Sequence, residues 1–128
     1  MALTNLTKGT VVGSEGGSAT TNLVQGLAKA FLSYKGTSTN SIYDSLNVSS
    51  VSDDATGEYT PTFSSAFSAA NDYALAGFAQ GDSAGGGRNL SGMGTPTTTT
   101  RQIETNNTHQ NADIDCSHVQ ISVHGDLA

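Results

Sequence analysis

The sequence predicts an all-β domain: an antiparallel β-sandwich or small barrel of about six strands, with an extended N-terminal arm. Three observations point there. Roughly a quarter of the 128 residues are Ser or Thr, and 15 are Gly, which favours β-structure with many turns over helices built from Leu, Glu and Lys. Short segments alternate apolar and polar residues with the period of two that a half-buried strand requires. Between them lie clusters of Asp, Asn, Ser and Gly, the residues that reverse a chain.

Residues 1–22 form the arm and 23–128 the domain. The arm, MALTNLTKGTVVGSEGGSATTN, ends in a Gly/Ser connector, and its short apolar set, Leu3, Leu6, Val11 and Val12, suits an extended segment that docks on something else. The first strand starts from Leu27, where Leu27, Lys29, Phe31 and Ser33 oppose Ala28, Ala30, Leu32 and Tyr34; a short helix over Leu23–Ala30 is the alternative, weakened by Gly26. After the turn KGTSTN, SIYDSLNVSS reads as one strand with Ile42, Asp44, Leu46 and Val48 on one face. Asp53, Asp54 and Gly57 then mark a hairpin with a three-to-five-residue loop. Tyr59, Pro61 and Phe63 line one side of the returning strand, and Pro61, which lacks a backbone donor, belongs at a sheet edge or a bulge. SSAFSAAND is a short crossover of about one helical turn, and YALAGFAQGD the next strand. GDSAGGGRNLSGMGTP reads as a long Gly-rich loop, TTTTRQIETN as a Thr-rich strand, and NTHQNADIDCS as a polar loop. SHVQISVHGD closes the domain with the clearest alternation, Val119, Ile121 and Val123 inward and His118, Gln120, Ser122 and His124 outward.

Composition excludes several functions. Five Lys/Arg against eleven Asp/Glu, a net charge of −6, leave no cationic surface for phosphates or anionic membranes. No segment is long and apolar enough for a signal peptide or a membrane helix. The single cysteine, Cys116, forms no intrachain disulfide and reads as a small buried side chain. His118 and His124 are six strand positions apart, about 20 Å, too far to share an ion within one chain; a threefold axis could still gather copies of one of them. His109, near Asp113 and Asp115, has no stronger claim. Asp53, Asp54 and Glu58 are too few for a calcium loop, and Glu15, Glu58 and Glu104 stand apart from one another without the pairing of a glycosidase. GDSAGGGRNLSG lacks the Gly-Lys-Ser/Thr of a phosphate loop. These residues predict no catalytic site and no cofactor.

The stretch GLAKAFLSYKGT…SIYDSLNVSSVSDDATGEYTPTFSSAFSAANDYALAGFA resembles a small domain that recurs in structural proteins of tailed bacteriophages, often at the exposed end of tail fibres. The family's motifs fall at Gly26–Ala30, Lys35–Thr37, Asp44–Ser50, Thr56–Tyr59, Thr62–Phe63 and Ala70–Ala74, and VQISVHGD matches its terminal strand. The chain departs at Phe31-Leu32, where the family usually has Trp-Val, and at Pro61, where it has a β-branched residue; both are packing changes. The resemblance implies a β-rich virion protein, usually trimeric, displayed on the outer surface of capsid or tail, with no catalytic residues.

A domain this poor in large apolar side chains gains stability by association, so a homotrimer is expected. With only an arm ahead of the domain, the expectation is a capsid decoration (cement) or short head-fibre protein that binds the major capsid or tail protein through residues 1–22. Asp82, Arg88, Asn89 and Met93 are the candidates for an outward contact loop. The alternative is a tail-tip module recognising a host surface glycan or receptor, for which Asn106, Asn107, Gln110 and Asn111 are the only amide cluster.

Overall fold

The computed structural model describes residues 26–81 and 87–128. The nine strands among these residues are β1 (Ala30–Lys35), β2 (Ser41–Leu46), β3 (Val48–Ala55), β4 (Glu58–Phe63), β5 (Tyr73–Gln80), β6 (Arg88–Gly92), β7 (Ile103–Asn107), β8 (Ala112–Asp113) and β9 (His118–Gly125). They build two antiparallel sheets, the first in the order β2-β1-β9-β5 and the second in the order β3-β4-β7-β6, with β8 paired to β7. This is the expected sandwich. Leu3, Leu6, Val11 and Val12 of the arm lie outside the described residues, as does Asp82.

Alternation decides what goes inside. Ala30, Leu32 and Tyr34 of β1 and Val119, Ile121 and Val123 of β9 point inward from the first sheet. Tyr59, Pro61 and Phe63 of β4 and Ile103 and Thr105 of β7 meet them from the second. Phe67, from the crossover between β4 and β5, closes one end: its ring packs 5.0 Å from Phe63 and 4.5 Å from Tyr73, centroid to centroid. That crossover is irregular rather than a helical turn, held by Phe67 N–H donating to Thr98 O at 2.9 Å. Cys116 is fully buried, and burial pushes its thiol pKa up, as suits an inert core side chain.

Three further segments differ from the sequence reading, each for a local reason. The single strand expected over Ser41–Ser50 is two strands in different sheets. Asn47, at φ 55°, turns the corner, a conformation Asn tolerates. Its amide oxygen accepts from Ser65 N–H at 2.6 Å and its Nδ2 donates to Ser65 O at 3.2 Å, which ties the corner to the crossover. The Thr-rich strand begins only at Ile103, because Thr97 Oγ1 accepts from the N–H groups of Thr100 (2.8 Å) and Thr99 (3.2 Å) and folds Thr97–Thr100 into a turn. The long Gly-rich loop contains β6, so Arg88 and Asn89 are strand residues and Met93 follows directly on the strand.

The hairpin between β3 and β4 is present but tighter than expected. Thr56 and Gly57 alone close it, with Asp54 bulged out of register. Pro61 faces Arg101 at the gap between the Tyr59–Ile103 pair and the Thr62–Thr100 bridge, where its missing N–H removes a rung; Arg101 N–H still donates to Pro61 O at 3.3 Å.

Asp115 latches this hairpin to the body: its Oδ1 accepts from Gly57 N–H at 2.8 Å and from the Tyr59 hydroxyl at 3.1 Å. The neighbouring Tyr34 ring meets Tyr59 edge-on at 5.2 Å, yet its buried hydroxyl has no hydrogen-bond partner among the described residues. Tyr34→Phe is therefore expected to leave stability unchanged or raise it by up to ~1 kcal/mol, while Tyr59→Phe lowers it by about 1–2 kcal/mol, as read by urea unfolding. Burial, with nearby Asp53 and Asp115, raises the Tyr34 pKa from 10.0 to about 12, and burial and Asp115 raise that of Tyr59 as well. A folded-state pKa above the unfolded one gives stability that is complete below pH ~10 and declines as pH rises past it, so alkaline unfolding should begin there.

Candidate interaction surface

Outward residues of the first sheet form the most unusual surface of the domain. Register sets them in rows across four strands. One row runs Leu46, Phe31, Ser122, Ala76, and the next runs Asp44, Ser33, Gln120, Phe78. The chain has only four phenylalanines and four tyrosines, and Phe31, Tyr43 and Phe78 all stand on this face. Phe78 is 55% exposed, Tyr43 52% and Leu46 49%. In a chain this short of large apolar side chains, their exposure on one face makes it the candidate interaction surface.

Local structure holds the face open. The β1–β2 register slips between Ser33 and Tyr34, leaving Tyr43 as the extra residue, and its ring stacks on His118 at 5.4 Å with 25° between planes. Gln120 Nε2 donates to Ser33 Oγ at 3.3 Å, and Ser122 Oγ lies 3.0 Å from His124 Nε2. These four polar side chains thus pair among themselves, and a shallow groove lined by Ala76, Phe78, Gln120 and Ser122 lies beside them. Gly77 faces the other way: a Cβ there would meet Leu90 Cδ2 at 2.8 Å and Ile121 Cγ2 at 2.9 Å, so its bare backbone lets β6 approach β5.

At the rim, β5 is an edge strand that reads YALAGFAQ, eight residues without charge or proline. Soluble proteins usually blunt such an edge with Lys, Pro or a bulge. Among the described residues no strand pairs with its outer side.

The residues singled out from sequence are scattered by comparison. Arg88 lies beside Gly81 and reaches toward the Cys116 thiol, so it points into the sandwich, whereas Asn89 is exposed on the edge strand β6. His118 and His124 share the outer face as expected. His109 is an exposed turn residue whose N–H donates to Asn107 Oδ1 at 3.0 Å. The amide cluster is spent on that same turn: Asn107 is buried and its Nδ2 donates to Gln110 Oε1 at 3.1 Å, while Asn111 takes φ 49°. Asp53, Asp54 and Glu58 do not converge; Asp53 accepts from Asn40, and Asp54 from Thr60 Oγ1 at 2.5 Å. Glu58 and Glu104, which look isolated in sequence, are direct cross-strand neighbours on β4 and β7, but on the outer face of a sheet and not across a cleft. Among the described residues no three His, Cys, Asp or Glu side chains gather as metal ligands, and no helix is long and apolar enough to cross a membrane.

The signal for the surface was present in the sequence as alternation, but its apolar character emerges only when four strands are laid side by side in register. Comparison with protein families, curated proteins and solved structures finds no match to this chain.

Proposed function

We propose that this chain is a structural protein of a tailed-bacteriophage particle: a homotrimeric capsid decoration (cement) or short head-fibre protein that binds the outer surface and stabilises it. The observation that carries the reading is the aromatic face of the first sheet, which no other described strand covers. Its strands are up to eight residues long and four abreast, roughly 26 by 19 Å. That is roughly 500 Å² of sheet face, more than half of the ~800 Å² per partner of a standard protein interface. Its occupant is the same face of further copies, because its middle rows carry Leu46, Phe31, Ala76 and Phe78, its charged strand residues Asp44 and Lys35 are of opposite sign, and a chain of net charge −6 would repel its own copies anywhere more acidic.

The mechanism is binding without chemistry, and the protein is not an enzyme. Three subunits bury the shared face. Their arms, residues 1–22, add main-chain hydrogen bonds to a sheet edge of the major capsid or tail protein. Many copies on one shell turn weak individual contacts into firm attachment. The resemblance to phage structural domains over Gly26–Ala30, Asp44–Ser50 and Thr56–Tyr59 supports the particle as the setting.

Two results test this. Densitometry of purified particles should find hundreds of chains per virion; a dozen or two would place the protein on the tail, and none would refute the proposal. Deleting residues 1–22 should abolish incorporation into particles while the remaining domain keeps its β-sheet circular dichroism; unchanged incorporation would remove the arm from the mechanism.

A further inference from the structure

A second site lies at the mouth of the sandwich, away from the aromatic face, and does not depend on the particle role. Arg101 follows the Thr97–Thr100 turn and continues the inward-facing series of Ile103 and Thr105, opposite the buried Pro61. An inward arginine in a sandwich normally meets a carboxylate, because a half-buried charge without a partner is costly. Here no described side chain pairs with it. Its guanidinium instead lies over Gly92, where a Cβ would overlap it, and borders a cavity of about 270 Å³ lined by Ala70, Asn71, Tyr73, Leu75, Gly92, Pro96 and Arg101.

The walls are built and held. Tyr73 is fixed by its hydroxyl, which donates to Thr97 O at 3.0 Å and lies 3.3 Å from Thr100 O, so the ring and not the hydroxyl faces the cavity. Asn71 is set by the turn in which Asp72 N–H donates to Ala69 O at 3.1 Å. The cavity therefore offers one guanidinium fork and a floor of Tyr73, Leu75 and Pro96, with Asn71 also on its wall.

We infer that this cavity binds a single acidic sugar residue, its carboxylate on Arg101 and its ring against Tyr73, Leu75 and Pro96. An arginine fork matches a carboxylate in bidentate geometry. A phosphate would suit the fork as well, but as a dianion facing one guanidinium in a chain of net charge −6 it would be left only half neutralised. An Asp or Glu side chain of a partner would use the charge but leave the apolar floor without contacts.

The test is a titration of the full-length ¹⁵N-labelled chain with glucuronic acid, glucose, acetate and a short Glu-containing peptide. Glucuronic acid should shift the resonances of Asn71, Tyr73, Gly92 and Arg101 with a millimolar Kd and bind at least tenfold more tightly than the other three. Arg101→Gln should weaken it at least tenfold. Gly92→Ala, which keeps the charge but displaces the guanidinium, should weaken it similarly with an unchanged melting temperature, and it decides the matter if Arg101→Gln does not fold. Equal binding of glucose, equal binding of acetate, preference for the peptide, or no shifts at about 10 mM glucuronic acid would each overturn the inference.

Discussion

Phe78→Asp is expected to convert the proposed trimer to single chains without unfolding them. Phe78 sits on the outer face, 55% exposed, so its removal leaves no cavity between the sheets. In the assembly, however, a carboxylate in its place would be stripped of water without a partner, at a cost of several kcal/mol per buried charge, repeated in every subunit. The association constant should fall by at least a hundredfold, and sedimentation should report single chains with β-sheet circular dichroism retained. Leu46→Asp, in the adjoining row, should act the same way. Ser50→Asp, on exposed β3 of the opposite sheet, adds the same charge and should leave the mass unchanged; dissociation by all three variants would mean that net charge, not this face, governs assembly.

Gly57→Val should have the largest effect on folding. Gly57 takes φ +73° to close the β3–β4 hairpin, a conformation closed to β-branched residues. A Cβ would also collide with the Thr105 carbonyl and lie 2.9 Å from Ile114 N and 3.1 Å from Ile114 O, all backbone atoms that cannot swing aside. Strain and collision together should cost about 3–5 kcal/mol, a large part of the stability of a small domain. Gly26→Val is the control: no atom of the described residues lies within 4 Å of a Cβ there, and urea unfolding should barely change. Equal midpoints for the two variants would show that the hairpin is not held as described.

What was legible in the sequence was whatever alternation or turn chemistry encodes locally. Val119, Ile121 and Val123 announced a half-buried strand, Tyr59, Pro61 and Phe63 announced one face of another, and Asp53 to Gly57 announced the reversal between β3 and β4. Features that depend on one residue's backbone or on non-local register were hidden. Asn47 looked like a polar position within a strand, and nothing before the fold shows that its amide would clamp Ser65 and send the chain to the second sheet. The glycines before Arg88 masked β6, whose strand character comes from pairing with β7. Arg101 ended a Thr-rich run that read as an ordinary strand, and only the Thr97 turn and the placement of Gly92 put its side chain at the sandwich mouth. Phe31, Tyr43 and Phe78 are far apart in sequence, and their common face exists only once β2, β1, β9 and β5 are in order.

Sedimentation equilibrium of the full-length chain at low micromolar concentration tests the central claim most directly. A self-associating aromatic face predicts one species at three times the 13.0 kDa chain mass, reduced to single chains by Phe78→Asp. A stable, fully folded monomer in the unsubstituted protein would contradict it.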